Sequence, residues 1–233
     1  MNIKKFTGEI TQIIDLSKTA KEVSIKLNES IEFLSGSFMN IFIDVNGEKV
    51  RRAYSISSSI NDHNNITLSI RLSPSGTVTP IFWSKDMIGS TLELMGPMGL
   101  NTVDKMHHDK VYLFAFGIGV GVVKSITDYF ANIKKVEHLT IYTGSRSEDE
   151  IIYKDYFDNL SKSHDNVSVK YIVSLPSDGS RFPKGYIQDF IGDLDFNNSD
   201  VYVCGQEKAC SDLVGKVNSM NPSDCSFFIE SFH

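Results

Sequence analysis

The sequence predicts a β + α/β protein: a six-stranded antiparallel β-barrel over residues 1–103, followed by a Rossmann-like unit with a parallel sheet over residues 104–233. Three observations predict it. Apolar and polar side chains alternate through much of the first half, which is the period of half-buried strands. Beyond residues 101–110, short apolar runs alternate with helical patterns, the order that winds a parallel sheet with helices. At residues 111–126, VYLFAFGIGVGVVKSI, an uncharged apolar run stops at Gly117, Gly119 and Gly121 and passes into helical spacing.

In the first half, alternation places strands at 9–16, 23–27, 39–45 and 66–72. Asn46-Gly47 is a strong hairpin signal that sets 38–45 beside 48–57. A short helix is expected at 77–87, and a last strand at 91–95 runs into Gly96-Pro97-Met98-Gly99. Six strands in about a hundred residues suggest a small closed barrel. In the second half, strands are expected at 111–116, 138–143, 167–173, 200–204 and 226–229, with helices near 120–133, 150–160, 186–191 and 207–219. Residues 101–110 form the natural linker, and its His107 and His108 read as solvated loop residues without chemistry.

Composition narrows the function classes. Of 233 residues 41% are apolar and 22% charged, and the net charge is −6. Residues 1–103 balance 10 basic against 10 acidic side chains, so the whole acidic excess belongs to the second half. That argues against nucleic acid as a partner. No apolar stretch is long enough to span a bilayer, and no apolar run follows Lys4 and Lys5, so a soluble, cytoplasmic protein without a secretory leader is expected. Cys204, Cys210 and Cys225 are too few for a four-cysteine metal or iron–sulfur site and read as reduced, mostly buried thiols; no metal is expected.

Two stretches can carry chemistry. The glycine cluster at 117–121 opens a helix whose unpaired N–H groups and positive dipole end suit a phosphate, although glycines there also serve plain close packing. On the strand after the hairpin, residues 51–59 read RRAYSISSS. An arginine, an aromatic ring and a hydroxyl at a barrel rim supply a phosphate clamp, a stacking surface and a hydrogen-bond donor, the equipment for a nucleotide-like cofactor with a flat ring. A half-exposed strand with Tyr54 packed inward is the alternative.

Nearly the whole chain resembles the ferredoxin–NADP reductase family. Arg52-Ala53-Tyr54-Ser55 resembles its R-x-Y-S flavin motif, preceded by Gly36-Ser37-Phe38, similar to its G-Q-F strand. Gly76-Thr77-Val78-Thr79 is similar to its pyrophosphate turn, and Gly96-Pro97-Met98-Gly99 matches its barrel exit. Ala115-Phe116-Gly117-Ile118-Gly119 resembles its pyridine-nucleotide turn, Tyr202-Val203-Cys204-Gly205 its C-G strand end, and Glu230-Ser231-Phe232 its acidic–x–aromatic terminus.

The resemblance implies FAD in the barrel and NAD(P)H on the second unit, with hydride passing between them. Tyr54 would stack on the flavin and Ser55 would hydrogen-bond near its reactive nitrogen. Arg52, Ala53 and Arg71 belong to the implied cofactor site, with the turn Gly76, Thr77, Val78 and Thr79 holding the pyrophosphate at the start of the short helix. Gly117, Ile118, Gly119 and Val120 would cradle the pyrophosphate of the pyridine nucleotide, beside Cys204 and Gly205. Ser55, Cys204, Glu230 and Phe232 would surround the reacting rings. Ser145 and Arg146 follow the second strand, where an adenosine ribose is read. They favour NADPH with NADH still possible, the alternative being an Arg146 that caps a helix or pairs with Glu148. Two departures stand out: Gly121 and Val122 replace a usual threonine and proline, which predicts a looser helix start and weaker nicotinamide binding, and Gln206 follows Cys204-Gly205. Electrons would leave to a separate redox protein such as a ferredoxin or flavodoxin. A reductase of free flavin and a non-catalytic electron-transfer subunit are the alternatives.

Overall fold

The structure is a computed structural model that describes residues 3–84 and 86–232; Met1, Asn2, Lys85 and His233 lie outside the described residues. Its first half is a six-stranded antiparallel sheet built from β1 (Lys4–Ser17), β2 (Ala20–Leu27), β3 (Phe38–Val45), β4 (Glu48–Ser55), β5 (Asn65–Arg71) and β6 (Thr91–Met98), in the order β4-β3-β6-β1-β2-β5. Ile10, Ile25, Met39, Ile41, Leu68 and Leu94 are wholly buried inside it. Each such side chain stabilises the fold by ~1.5–3 kcal/mol relative to exposure. The sheet curls until its two edges meet, but only just beyond β4: an isolated Ile56–Leu68 bridge and a Ser57 N–H to Thr67 carbonyl bond of 2.9 Å join them. Within β4 itself the outer edge has no partner strand. The barrel therefore has an open seam beside Arg52, Tyr54 and Ser55.

The expected helix at 77–87 is a single turn, α1 (Ile81–Ser84). Pro80 explains the late start, since it disfavours helical geometry at Thr79, and its carbonyl accepts the Ser84 N–H that closes the one α-turn; Lys85, within the expected range, lies outside the described residues.

The second half is a five-stranded parallel sheet of β7 (Lys110–Phe116), β8 (His138–Ser145), β9 (Val167–Val173), β10 (Ser199–Gln206) and β11 (Cys225–Phe232), in the order β11-β10-β7-β8-β9. α2 (Val120–Asn132) and α3 (Lys154–Ser163) cover one face, where Leu113, Ile126, Ile141 and Phe157 pack. α4 (Glu207–Ser219) and a 3-10 turn (Ile187–Asp189) cover the other, over Phe114, Val203 and Leu213. That turn replaces the helix expected at 186–191. Gly185 at φ +147° ends the preceding segment, and the Asp189 carboxylate accepts the Tyr186 N–H at 2.8 Å, so the chain makes one capped turn only.

The linker is better anchored than its polar sequence suggests. Val103 and Met106 are buried. His108 is not a solvated loop residue: its Nδ1 lies 2.8 Å from Asp200 Oδ1 and its Nε2 3.3 Å from Asp224 Oδ2. The buried Asp200 carboxylate also accepts the N–H groups of His107 and His108, at 2.6 and 2.8 Å. All three cysteines are unpaired thiols, two of them buried. No helix among the described residues is long and apolar enough to cross a membrane.

Candidate active site

Strand order fixes where a site can form. β7 and β10 are neighbours, but the chain leaves β7 towards β8 on one side and leaves β10 towards β11 on the other, which makes their C-terminal ends the topological switch point of the sheet. Gly117 to Gly119 form a 3-10 turn there, directly after β7, and α2 follows without a break. Gly117 has φ +56°, a conformation that penalises any Cβ. Gly119 lies so close to β10 that a Cβ on it would sit 2.5 Å from the Cys204 carbonyl oxygen.

The barrel seam faces this turn across a cleft of about 950 Å³. Arg52, Ala53, Tyr54, Ser55, Arg71 and Thr79 line it from the barrel, and Gly117, Ile118, Ser145, Arg146 and Phe232 from the parallel sheet. Eleven residues expected from sequence, spread over 180 positions, thus share one cavity. Phe116, Leu175, Tyr186, Ile187 and Gln206 also line it and were not expected; their sequence neighbourhoods read as core strand, loop or helix start, and only the loop apposition reveals them.

The seam fits a flat ring with a phosphorylated tail. The Tyr54 hydroxyl is buried without any hydrogen-bond partner among the described residues, and burial pushes its phenol up to about 12. Such a group needs an acceptor that the protein does not supply. Arg52 donates to the Thr77 hydroxyl at 3.2 Å and to the Arg51 carbonyl at 2.8 Å, and no carboxylate among the described residues pairs with it. In the adjoining turn, Gly76 spends its N–H on the Ser73 carbonyl, whereas the N–H groups of Thr77, Val78 and Thr79 have no protein acceptor among the described residues. Val78 itself is buried in the barrel core. Because α1 is one turn long and begins after Pro80, the positive potential on this edge comes from Arg52 and these N–H groups rather than from a helix dipole.

On the nucleotide side the expected cradle is partly spent. Val120 is buried and its N–H bonds to the Gly117 and Ile118 carbonyls. Val122 is a core residue, and α2 begins at Val120, two residues before it. Gly121 has a packing reason to be glycine: a Cβ there would stand 2.3 Å from Ser69 Oγ of the barrel. Ser69 in turn lies 2.7 Å from the Tyr153 phenol oxygen, and Tyr153 donates to Glu22 at 2.6 Å. Tyr153 sits at φ +56°, so α3 starts at Lys154, four residues later than expected.

Arg146 is exposed at the cleft wall, and the three acids after it are engaged elsewhere. Glu148 accepts from the Ser177 N–H and hydroxyl, and the Ser180 hydroxyl above all holds its carboxyl down at about 2. Asp149 pairs with Lys18 at 3.8 Å. Glu150 takes the hydroxyls of Thr19 at 2.6 Å and Ser17 at 3.0 Å, with Arg71 at 3.6 Å. The expected alternative of an Arg146–Glu148 pair is therefore absent among the described residues.

Cys204 and Glu230 lie behind the cleft wall. Cys204 is wholly buried beneath Gly119, and burial raises its thiol well above the usual range, so it stays protonated. Gly205, at φ +148°, packs against Phe116. Glu230 Oε1 accepts the Ser55 hydroxyl at 2.8 Å and Oε2 accepts the Tyr202 hydroxyl at 2.7 Å. Burial raises the Glu230 carboxyl, and the two hydroxyls act against that rise.

An antiparallel barrel with an open seam, set against the switch point of a parallel sheet, defines a two-nucleotide oxidoreductase, and comparison with known proteins agrees. Residues 7–102 match the family described as "Oxidoreductase FAD-binding domain" and residues 113–213 the "Oxidoreductase NAD-binding domain". The chain belongs to the ferredoxin reductase-like family of FAD-dependent NAD(P)H oxidoreductases. It is 22% identical over 236 residues to the reductase component DmpP of phenol 2-monooxygenase from Pseudomonas sp., a match covering 99% of this chain and 66% of that protein. It is 27% identical over 193 residues to ferredoxin–NADP reductase B of Sorangium cellulosum, covering 81% of this chain and 78% of that one. The fold superposes on the Amycolatopsis cytochrome P450 reductase GcoB with a TM-score of 0.88 at 19% identity, over 99% of this chain and 71% of that structure.

Proposed function

We propose that the chain oxidises NADPH by hydride transfer to an FAD held in the barrel seam and passes the electrons to a separate redox protein of ferredoxin or flavodoxin type. The observation that carries this is the cleft itself: the unpartnered edge of β4, with Arg52, Tyr54 and Ser55, faces the Gly117 turn across one cavity. Residues 1–103 form the flavin half and 104–233 the nucleotide half. When bound, FAD supplies the acceptor for a hydride and a means of releasing its electrons onward.

The chain's own residues bind, orient and exclude water. Tyr54 gives the ring a flat face and Arg52 a fixed positive charge for the tail, joined by the free N–H groups of Thr77, Val78 and Thr79. Gly117 gives the pyridine nucleotide a bare backbone at the switch point, with Ile118 lining the cleft beside it, and Arg71 stands over that turn, 3.1 Å from where a Gly117 Cβ would lie. Ser55 is fixed by Glu230, and Phe232 closes the wall beside it. Cys204 sets the polarity behind the nicotinamide, as a neutral thiol rather than a nucleophile. Arg146, unpaired and exposed, supplies the bidentate donors that suit a 2′-phosphate and is the reason to favour NADPH over NADH.

The acceptor is inferred from the similar proteins above, a reductase component and a ferredoxin–NADP reductase. Turnover with NADPH and, in turn, ferricyanide, free FMN, a ferredoxin and a flavodoxin tests it. Faster turnover with a protein acceptor is expected; turnover with free FMN far above the others assigns the chain to the flavin reductases instead.

A further inference from the structure

Glu230 is held from two sides, and only one of them faces the cleft. Ser55 comes from the barrel edge and bonds Oε1 at 2.8 Å. Tyr202 comes from β10, one strand inward, and bonds Oε2 at 2.7 Å. Tyr202 is wholly buried, and the Glu230 carboxylate is the acceptor its hydroxyl meets. In register β10 sets Cys204 opposite Glu230 on β11, so Tyr202 reaches the carboxylate from two residues back along its neighbouring strand. A tyrosine fixed by a sheet on both sides is a rigid anchor, whereas the C-terminal strand that carries Glu230 is an edge strand with a partner on one side only.

We propose that Tyr202 is a positioning residue of the reaction centre: its hydroxyl anchors the Glu230 carboxylate, and through the second carboxylate oxygen the Ser55 hydroxyl, at the mouth of the flavin seam. The inference rests on the reading of Ser55 and Glu230 as residues that meet the reacting rings. The carboxylate then accepts one hydroxyl on each oxygen, and protonation would turn one of those two oxygens into a donor and weaken its bond. The titratable groups that face it are Tyr202 and Cys204 on β10, both kept neutral by burial, and Ser55 adds an uncharged donor from β4. Burial favours the protonated carboxyl and Tyr202 is the first of the two donors opposing it. Removing that donor leaves the burial opposed by the Ser55 hydroxyl alone.

The test is Tyr202→Phe, with Tyr112→Phe as a control whose lost hydroxyl bond, to the Asp195 carbonyl, is remote from Glu230. Carbon-13 carboxyl NMR of the flavin-loaded protein, with Glu230→Gln for assignment, reads the Glu230 midpoint. Tyr202→Phe is expected to raise it by about one pH unit, the equivalent of one hydrogen bond to a charged group. The acid limb of flavin reduction by NADPH should move up with it, about tenfold slower below the new midpoint, while KM for NADPH stays constant. A second measurement needs no variant: the Tyr202 ring-carbon resonance of the unaltered protein should shift with the Glu230 midpoint. An unmoved midpoint and acid limb in Tyr202→Phe, or a Tyr202 resonance flat through the Glu230 titration, overturns the inference. If Glu230→Gln reduces flavin at the full rate, the reaction-centre reading itself fails, which is a separate outcome.

Discussion

Replacing Arg52 by alanine removes a fixed cation that lines the cleft from the free edge of the barrel. Its guanidinium is exposed and, among the described residues, bonds only neutral oxygens, the Thr77 hydroxyl and the Arg51 carbonyl, so no ion pair among them is lost with it. The change in stability should be within about 0.5 kcal/mol, as for a surface substitution outside a network. The loss in cofactor binding is larger. A charge-assisted bond to a phosphate contributes ~1.5–3 kcal/mol, which at 1.4 kcal/mol per decade is about 10- to 150-fold in the FAD dissociation constant. Fluorescence titration of the apoprotein with FAD measures that constant, and FMN is the companion ligand because it lacks the adenosine half that the Thr77–Thr79 N–H groups would help anchor. Thermal unfolding of the apoprotein controls for folding. An Arg52→Ala protein that binds FAD as tightly as the wild type, with unchanged stability, refutes the placement of the phosphate tail.

Arg146→Ala should lower kcat/KM for NADPH about tenfold or more and leave NADH nearly unaffected, because the Arg146 side chain has no ion-pair partner to lose among the described residues; equal effects on both nucleotides remove the 2′-phosphate assignment. Gly121→Ala drives a methyl to 2.3 Å from Ser69 Oγ, an overpacking that should cost about 1–3 kcal/mol in urea unfolding and be relieved in the double variant with Ser69→Gly; a single variant as stable as the wild type contradicts the close approach. His108 has its imidazole raised above the ordinary value, first by its bond to Asp200. The stability it contributes is therefore full below the unfolded value of about 6.5 and is lost as pH rises through the raised one. Urea unfolding of wild type and His108→Gln should differ more at acid pH than at alkaline pH, and a difference independent of pH rules the ion pairs out.

Much of the fold was legible because periodicity is a local property. β3 and β4 follow from alternation around Asn46-Gly47, and β7 from a run of uncharged residues that only a doubly covered strand tolerates. The lining of the cleft was legible where a motif stays in one segment, as in Arg52 to Ser55 and Gly117-Ile118. What escaped depends on contacts between segments. α3 starts late because Tyr153 takes a left-handed conformation to reach Glu22 and Ser69 across the two halves. Gly121 departs from the family pattern because Ser69 occupies the space of its side chain. Tyr202 reads as one more core aromatic until Glu230 is seen beside it. His108 looked solvated because its two aspartates lie 92 and 116 residues further along the chain.

The central claim is that flavin and pyridine nucleotide meet in the cleft between the β4 edge and the Gly117 turn. Anaerobic rapid mixing of the purified, flavin-loaded protein with NADPH tests it most directly. The visible flavin absorbance should bleach in one turnover, and more slowly in Ser55→Ala at the same flavin content. A protein that binds FAD and NADPH yet leaves the flavin oxidised would contradict it.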